Sequence, residues 1–347
     1  MSIDTLHDLG ALTQLLRSFA ERRQALSVDP DLAQLIRALQ AGHFDRLPLP
    51  GRGDTLARWQ FLAKVAGCDL ALAKLYEGHT DALAILAECA APHLSGDGIW
   101  GVWAAEPPTA RARIVAREGD KVWLAGSKAW CSGALQIDNA LITAWADDDQ
   151  PQLVAIALSH ANQGLDVDNW QAVGMATTAS IELTFNDAPG IAVGRPGQYL
   201  SRPGFWQGGA GIAACWYGAA QALAEHLRAH CRRPHADPHA LAHLGTVDTA
   251  LNAARTTLRE CATWIDQHPD LDASLPVRRV RAQVEQAVEL VIRHVGRALG
   301  ATPFCRDSHF ARLMADLPVF VRQSHAERDL AALGQQVTEQ PAGAWQL

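Results

Sequence analysis

The sequence comprises 347 residues, of which 48% are hydrophobic and 19% are charged, and its formal net charge at pH 7 is -7. This apolar content is sufficient for a large core and excludes a chain that is disordered over most of its length. The mild acidity excludes the basic surface that is typical of a nucleic-acid-binding protein.

The spacing of the cysteines and the length of the apolar runs indicate the cellular compartment of the protein. The seven cysteines are scattered without a Cys-x-x-Cys pair, which predicts free thiols in a reducing cytoplasm. Residues 1–10 lack the basic and apolar regions of a signal peptide. The longest apolar run, residues 210–224, is too short to cross a bilayer and predicts a buried helix. We therefore expect a cytoplasmic protein without a membrane span.

Helical periodicity dominates the first part of the chain. Leucines recur at helical spacing over residues 4–26, and a second amphipathic helix is predicted over residues 31–44. The Ala- and Leu-rich stretch 55–91 predicts two more helices, and the turn-forming residues 91–98 interrupt the pattern. These features predict an N-terminal helical domain over residues 1–98.

The residue pattern changes at residue 99, where short runs rich in β-branched and aromatic residues begin. They predict six to eight strands, with a tight turn at residues 118–121, and define a middle β domain over residues 99–200. Long helical patterns return over residues 205–231, 239–267 and 276–299, followed by a shorter pair. We expect a C-terminal helical bundle over residues 201–347.

Two local patterns suggest other chemistry and are rejected. The stretch GAGIAA, residues 209–214, matches a loose dinucleotide fingerprint, but no strand precedes it. His235, His239 and His243 are spaced for a metal on one helix face. Pro238 is expected to begin that helix, which separates His235 from the other two. We therefore predict no metal site.

The strongest signal is an ordered set of motifs. Glu-Pro follows a predicted strand in WGVWAAEPP (100–108), and KAWCSG (128–133) comes about twenty residues later. VGMATTASIELTFNDAP (173–189), RALGATPF (297–304) and FARLMADLPVFVRQSHAERD (310–329) complete the set. In this order and spacing, over nearly the whole chain, the motifs resemble those of the acyl-CoA dehydrogenase family of flavoproteins.

The resemblance implies a fold that is mainly α with a central β domain. It consists of an N-terminal helical domain, a β-barrel-like middle domain and a C-terminal four-helix bundle. The implied activity is an FAD-dependent oxidation of the CH–CH group of an acyl-CoA or related acyl substrate, with FMN as a possible cofactor. A homodimer or homotetramer is also implied.

The resemblance assigns cofactor-binding residues in the β domain. Trp130 matches the residue that covers one face of the flavin ring, and the Ser132 hydroxyl matches the group that reaches the N5 edge. Val102, Ala104 and Ala105 match the strand whose backbone contacts the polar edge of the flavin.

Further cofactor contacts are implied in the C-terminal domain. Arg232 or Arg233 matches an arginine that crosses the dimer interface to the pyrophosphate of the partner's flavin. Arg297 and Gly300 match the Gln and Gly of the turn on the adenine side.

Several positions depart from the family pattern. PTARA (108–112) replaces the Gly-Ser-Asp turn, and Arg297 replaces the usual Gln. Ser324 stands where the family usually has its catalytic Glu, and a hydroxyl is far too weakly acidic to act as such a base. His325, next to it, can titrate near neutrality and is the best substitute. The chain therefore resembles a divergent member of the family, with His325 and Ser324 as the predicted catalytic positions.

Three alternatives remain open from the sequence. One is an oxygen-using flavin monooxygenase or oxidase of the same fold. Another is a non-catalytic scaffold that has lost its flavin. At the level of one residue, Trp130 can also be an ordinary core residue, because buried indoles are common in packing.

Overall fold

The structure is a computed structural model that describes residues 8–25, 32–146, 150–158, 163–166 and 170–346. These residues form two compact units. The barrel unit consists of the described residues up to Leu49 together with Asp69–Phe205. The bundle unit consists of Pro50–Cys68 and the chain from Trp206 onward. The predicted division at residues 98 and 200 into three domains stays a prediction.

The barrel unit contains four described helices and seven described strands. Its helices are α1 Leu9–Ala25, α2 Leu32–Ala41, α4 Leu70–Glu88 and α5 Gln198–Ser201. Its strands are β1 Trp100–Trp103, β2 Ala112–Glu118, β3 Lys121–Cys131, β4 Asn139–Trp145, β5 Pro151–Ala157, β6 Gln163–Asp166 and β7 Ile181–Val193.

Five of the strands close into a barrel. β2 pairs with β3, β3 with β7, β7 with β5 and β5 with β4, all antiparallel, and β4 returns to β2 through the parallel pair Arg113–Trp145. β6 pairs with β7, and β1 runs parallel to β4. Because the barrel is closed, the backbone groups of its five strands hydrogen-bond to one another. Strand β1 lies at the margin of the sheet.

Local sequence explains the β2–β3 hairpin. Gly119 and Asp120 connect the two strands, and Gly119 has φ +62°, a left-handed conformation that glycine adopts at little cost. The turn predicted over residues 118–121 is therefore confirmed.

Helix α4 is fixed to strand β1 by a buried histidine. The backbone N–H of Trp100 donates to His79 Nδ1 at 3.1 Å, and His79 Nε2 lies 3.4 Å from Asp45 Oδ2. Because Nδ1 accepts a hydrogen bond, the proton of the ring lies on Nε2, facing the carboxylate. The contact sets the spacing between the helix and the strand, which matters for the site described below.

The bundle unit is helical. Its described helices are α3 Thr55–Cys68, the continuation of α6 Gly204–Cys231, α7 Pro238–Gln267, α8 Ser274–Leu299, α9 Ala301–Arg306, α10 Ser308–Phe320 and α11 Glu327–Thr338. α3 and α6 approach closely at Gly218, where an added Cβ would lie 2.0 Å from the Ala63 carbonyl oxygen.

The sequence predicted the long helices well. α6, α7 and α8 match the three predicted patterns, and α7 begins at Pro238 after its Asp237 cap. The fold class predicted from the resemblance is confirmed. GAGIAA lies inside helix α6, which agrees with its rejection as a nucleotide-binding loop.

Two features are absent from the part of the chain that the structure describes. No helix there is long and apolar enough to cross a membrane. No group of three or more His, Cys, Asp or Glu residues is arranged there to hold a metal ion.

Candidate active site

Trp130 stands at the end of strand β3 in a strained conformation. Its φ is +61°, in the left-handed region that costs a non-glycine residue about 1–3 kcal/mol. Its side chain is 56% exposed and meets Trp170 edge-to-face, with ring centroids 6.3 Å apart. The strained backbone thus presents an indole to solvent instead of to the core. The alternative that Trp130 is an ordinary core residue is therefore wrong.

Cys131, between Trp130 and Ser132, takes no part in this exposed surface. Its thiol is buried and donates to the Lys128 carbonyl oxygen at 3.1 Å. Burial raises the pKa of the Cys131 thiol to about 12, so it stays protonated and inert at neutral pH.

Ser132 belongs to a chain of hydroxyl groups. Ser132 Oγ lies 2.7 Å from Ser180 Oγ, which lies 3.1 Å from Thr178 Oγ1. The Thr178 hydroxyl donates to the Met175 carbonyl oxygen at 2.7 Å. Three side-chain hydroxyls from two loops are therefore joined in one hydrogen-bonded line, called the hydroxyl relay below.

The loop that supplies Thr178 and Ser180 is also strained. Met175 and Ala179, on either side of a 3-10 helix, have φ of 58° and 39°. The backbone N–H of Gly133 donates to the Thr178 carbonyl oxygen at 2.7 Å and ties this loop to the Ser132 loop. Together with Trp130, three non-glycine residues in left-handed conformations surround the hydroxyl relay, and such strain clusters at functional sites.

Strand β1 approaches Ser132 from the other side. Trp103 Nε1 donates to the Ser132 carbonyl oxygen at 3.1 Å. Val102 is half-buried within β1, and Ala104 and Ala105 follow its last residue. Among the described strands β1 pairs with β4 alone. Apart from the Trp100 N–H, which donates to His79, its other edge presents backbone groups that can hydrogen-bond to a ligand.

A narrow pocket opens between helix α4 and strand β1. Its lining includes Lys74, Leu75 and Gly78 from the helix, and Val102, Trp103 and Ser132 from the β domain. Gly78 permits the close approach, because an added Cβ would lie 3.7 Å from the Val102 backbone nitrogen. Lys74 Nζ is 3.2 Å from Glu77 Oε2. The pocket therefore has apolar walls, and the Lys74–Glu77 ion pair lies on its helix side.

An ion pair within the barrel supports the end of β3. Lys128 is fully buried, and its Nζ donates to Glu106 Oε1 at 2.5 Å and to Thr143 Oγ1 at 2.6 Å. Burial lowers the pKa of Lys128 from its ordinary value, and the Glu106 carboxylate opposes this shift. Glu106 belongs to the Glu-Pro motif, so this pair connects that motif to the Trp130 loop.

The predicted phosphate and adenine contacts lie in the bundle unit. Arg232 and Arg233 are exposed just after helix α6. Arg297 is exposed in the last turn of α8, and Gly300 ends that helix with φ 64°.

Ser324 and His325 also lie in the bundle unit, between α10 and α11. Ser324 is buried, and its hydroxyl donates to Glu285 Oε2 at 2.5 Å. The His325 side chain is 59% exposed, with Nδ1 3.7 Å from Asp329 Oδ1. Ala326 next to it has φ 46°. Ser324 is therefore engaged in structure, whereas the imidazole of His325 is accessible.

Sequence reasoning missed the partners of the residues that it singled out. Ser180 and Thr178 lie in the motif over residues 173–189, which marked their segment without identifying them. Lys128 is fully buried, and the signal that could have found it is its even spacing from the apolar Val122 and Leu124 in the same strand. Trp170 had no motif that could have found it.

No family model matches the sequence, and no curated protein matches it. Solved structures do match over nearly the whole chain. KijD3, solved with FMN and a dTDP-linked amino-keto sugar, is 19% identical with a TM-score of 0.80, covering 96% of this chain and 93% of that one. Methanesulfinate monooxygenase MsuC from Pseudomonas fluorescens is 18% identical with a TM-score of 0.79, covering 96% and 97%.

Butyryl-CoA dehydrogenase from Megasphaera elsdenii is also similar, at 16% identity and a TM-score of 0.77, covering 95% of this chain and 97% of that one. The chain has the acyl-CoA dehydrogenase fold. At these identities the likeness establishes the fold alone. Within this fold the matched structures include, by their names, a monooxygenase as well as a dehydrogenase, so the fold does not select the reaction.

Proposed function

We propose that this protein is a flavin-dependent oxidoreductase. The observation that carries the proposal is the exposed indole of Trp130, held in a strained conformation two residues before Ser132. An exposed aromatic face beside a hydroxyl suits a flat, hydrogen-bonding ring. The strain is consistent with a ligand-binding role, because folding alone does not require the indole to face solvent.

The residues around Ser132 fit a flavin. Indoles, hydroxyls and the open backbone edge of β1 match a planar ring whose margin carries hydrogen-bonding nitrogens and oxygens. We assign Trp130 to one face of the ring, Ser132 to its N5 edge, and Val102, Ala104 and Ala105 to its polar edge. The flavin supplies hydride acceptance at N5 and, when reduced, reaction with oxygen.

Within this class we favour a monooxygenase over an acyl-CoA dehydrogenase. Dehydrogenation of an acyl-CoA requires a base that removes a proton from the substrate. Ser324 stands at the position that the resemblance gives to this base, and its hydroxyl is buried against Glu285. The accessible imidazole of His325 is the remaining acid–base group that we assign. MsuC, of the same fold, is named a monooxygenase.

The two exposed arginines after α6 support FAD as the flavin. KijD3 was solved with FMN, whereas the family resemblance implies FAD. An FAD pyrophosphate would be bound by Arg232 or Arg233 from a second copy of the chain. We propose FAD with FMN as the alternative, and a homodimer or homotetramer as the assembly. The substrate is a small molecule.

The experiment that separates the two reactions is anaerobic mixing of the flavin-loaded protein with short-, medium- and long-chain acyl-CoAs. We expect the visible flavin absorbance to persist, because no carboxylate occupies the aligned base position. In the second arm the flavin is reduced chemically and mixed with oxygen. We expect reoxidation at a rate that differs from that of free flavin.

A His325→Ala variant serves as the control for the first arm. Rapid bleaching by an acyl-CoA in the wild type would establish dehydrogenation instead of monooxygenation. Bleaching that persists in His325→Ala would also remove the assignment of His325 as base. A protein that binds no flavin would support the scaffold alternative.

A further inference from the structure

The hydroxyl relay has a direction that its last member fixes. The Met175 carbonyl oxygen can only accept, so the Thr178 hydroxyl must donate its single proton there, at 2.7 Å. Thr178 Oγ1 then has no proton left for Ser180 and accepts from the Ser180 hydroxyl at 3.1 Å.

The same reasoning applies to the next pair. The Ser180 proton is committed to Thr178, so Ser180 Oγ accepts from the Ser132 hydroxyl across 2.7 Å. The Ser132 proton therefore points into the protein, toward Ser180. Its remaining lone pairs face the other side, where the hydroxyl acts as an acceptor and not as a donor.

We propose that Ser180 and Thr178 are positioning residues that make Ser132 a hydrogen-bond acceptor, so that the site binds reduced flavin more tightly than oxidised flavin. This inference rests on the proposed function, which places the N5 edge of a flavin at Ser132. Oxidised flavin carries an acceptor nitrogen at N5, whereas reduced flavin carries an N–H donor there. A hydroxyl that can only accept matches the reduced form alone.

The preference for the reduced form has a measurable size. A neutral hydrogen bond contributes about 1 kcal/mol, which is roughly a fivefold to tenfold difference in affinity. Binding and reduction are linked, so the same ratio raises the midpoint potential of the bound flavin above that of free flavin. A tenfold ratio corresponds to about 30 mV for a two-electron couple.

Two variants release the Ser132 proton by different routes. Ser180→Ala removes its acceptor, so that the Ser132 hydroxyl becomes free to donate to oxidised N5. Thr178→Val removes the acceptor of Ser180, which lets the Ser180 hydroxyl reverse and donate to Ser132. Thr178 is buried and valine has nearly its shape, so the packing is preserved. Thr178→Ser keeps the relay and is the matched control.

The test is the midpoint potential of FMN bound to the full-length protein, measured anaerobically against redox dyes, together with the affinity for oxidised FMN. We expect a potential above that of free FMN in the wild type and in Thr178→Ser. In Ser180→Ala and Thr178→Val the ratio of oxidised to reduced dissociation constants should fall by roughly fivefold to tenfold. A loss of packing alone would weaken both forms together and leave the ratio unchanged.

Equal potentials in the wild type and both relay variants would overturn the proposal while leaving flavin binding intact. A wild-type potential at or below that of free FMN would overturn it as well. If the wild type binds neither FAD nor FMN, the proposed function fails and the relay loses its role with it; if it binds FAD alone, the same measurements are made with FAD.

Discussion

Lys128 Nζ lies 2.5 Å from Glu106 Oε1, and the lysine side chain has no exposure to solvent. The pair spans from the Glu-Pro motif after β1 to β3, the strand that carries Trp130. A charge buried in this way is stable only while its partner remains, because the desolvation cost of one ion is several kcal/mol. The pair therefore ties two parts of the candidate site to each other.

Glu106→Gln is expected to destabilise the protein by about 3 kcal/mol, since it leaves Lys128 buried without an opposing charge. The combination Glu106→Gln with Lys128→Met should cost clearly less than the sum of the two single changes, because the unpaired charge is then absent. Urea unfolding of the four proteins measures this difference. Additive effects would show that the two side chains do not stabilise each other.

Removal of the Trp130 indole should weaken flavin binding without harming the fold. Trp130→Ala is expected to cost about 1–3 kcal/mol of flavin affinity, the usual loss of a stacked aromatic. Trp345, 83% exposed near the C-terminus, provides the matched control through Trp345→Ala. Fluorescence titration with FAD and FMN gives both affinities. Similar losses in the two variants would contradict the assignment of Trp130.

Comparison of Trp130→Gly with Trp130→Ala measures the backbone strain. Glycine normally destabilises relative to alanine, but at φ +61° it relieves the left-handed strain. We therefore expect the Gly variant to be more stable than the Ala variant by up to about 1 kcal/mol. Thermal unfolding of the flavin-free proteins provides the comparison. A less stable Gly variant would show that the loop carries no strain.

The bundle unit should lose stability in mild acid through His226. Burial lowers the pKa of His226 below its ordinary value of 6.5, and His309 lowers it further, while Asp307 opposes the shift. The unfolded chain then binds the proton more readily than the folded one. The free energy of unfolding should fall as the pH drops from about 6.5 through the folded pKa.

His226→Gln removes this titration, and its unfolding free energy should vary less over that pH window than that of the wild type. Parallel pH profiles for wild type and His226→Gln would contradict the assignment.

The arginines after α6 test which flavin is bound. Arg232→Lys and Arg233→Lys, made separately, replace a bidentate phosphate contact by a point charge. We expect one of them to lower FAD affinity by roughly tenfold, about 1.4 kcal/mol, with a smaller effect on FMN, which has no pyrophosphate. Light scattering of the same samples reports the oligomer. Unchanged FAD affinity in both variants, or a monomer, would remove the assignment.

The sequence predicted the fold and the elements because periodicity and turn residues are local signals. The hairpin at residues 118–121 and the long helices α6, α7 and α8 needed nothing beyond their own residues. Local signals do not predict how helices group, as helix α3 shows. Its sequence does not reveal that it packs in the bundle unit. The division of helices and strands between compact units depends on contacts between residues that are far apart in the chain.

The site was predictable only in part for the same reason. The motif around Trp130 and Ser132 indicated the segment in which the left-handed Trp130 and the first member of the hydroxyl relay lie. The left-handed conformations of Met175 and Ala179 carry no sequence signature, since neither residue is a glycine or an asparagine. The hydroxyl relay depends on how two loops meet, and the pairing of Lys128 with Glu106 depends on strand register. Such features follow from tertiary structure and not from any single motif.

Flavin binding is the property on which every assignment in the candidate site depends. The decisive measurement is the visible absorption spectrum of the purified full-length protein, with the cofactor identified after denaturation, and a thermal-shift titration with FAD and FMN. We predict a flavin spectrum, or a raised unfolding temperature on addition of FAD or FMN that is reduced in Trp130→Ala. A colourless protein whose unfolding temperature responds to neither flavin would contradict the account.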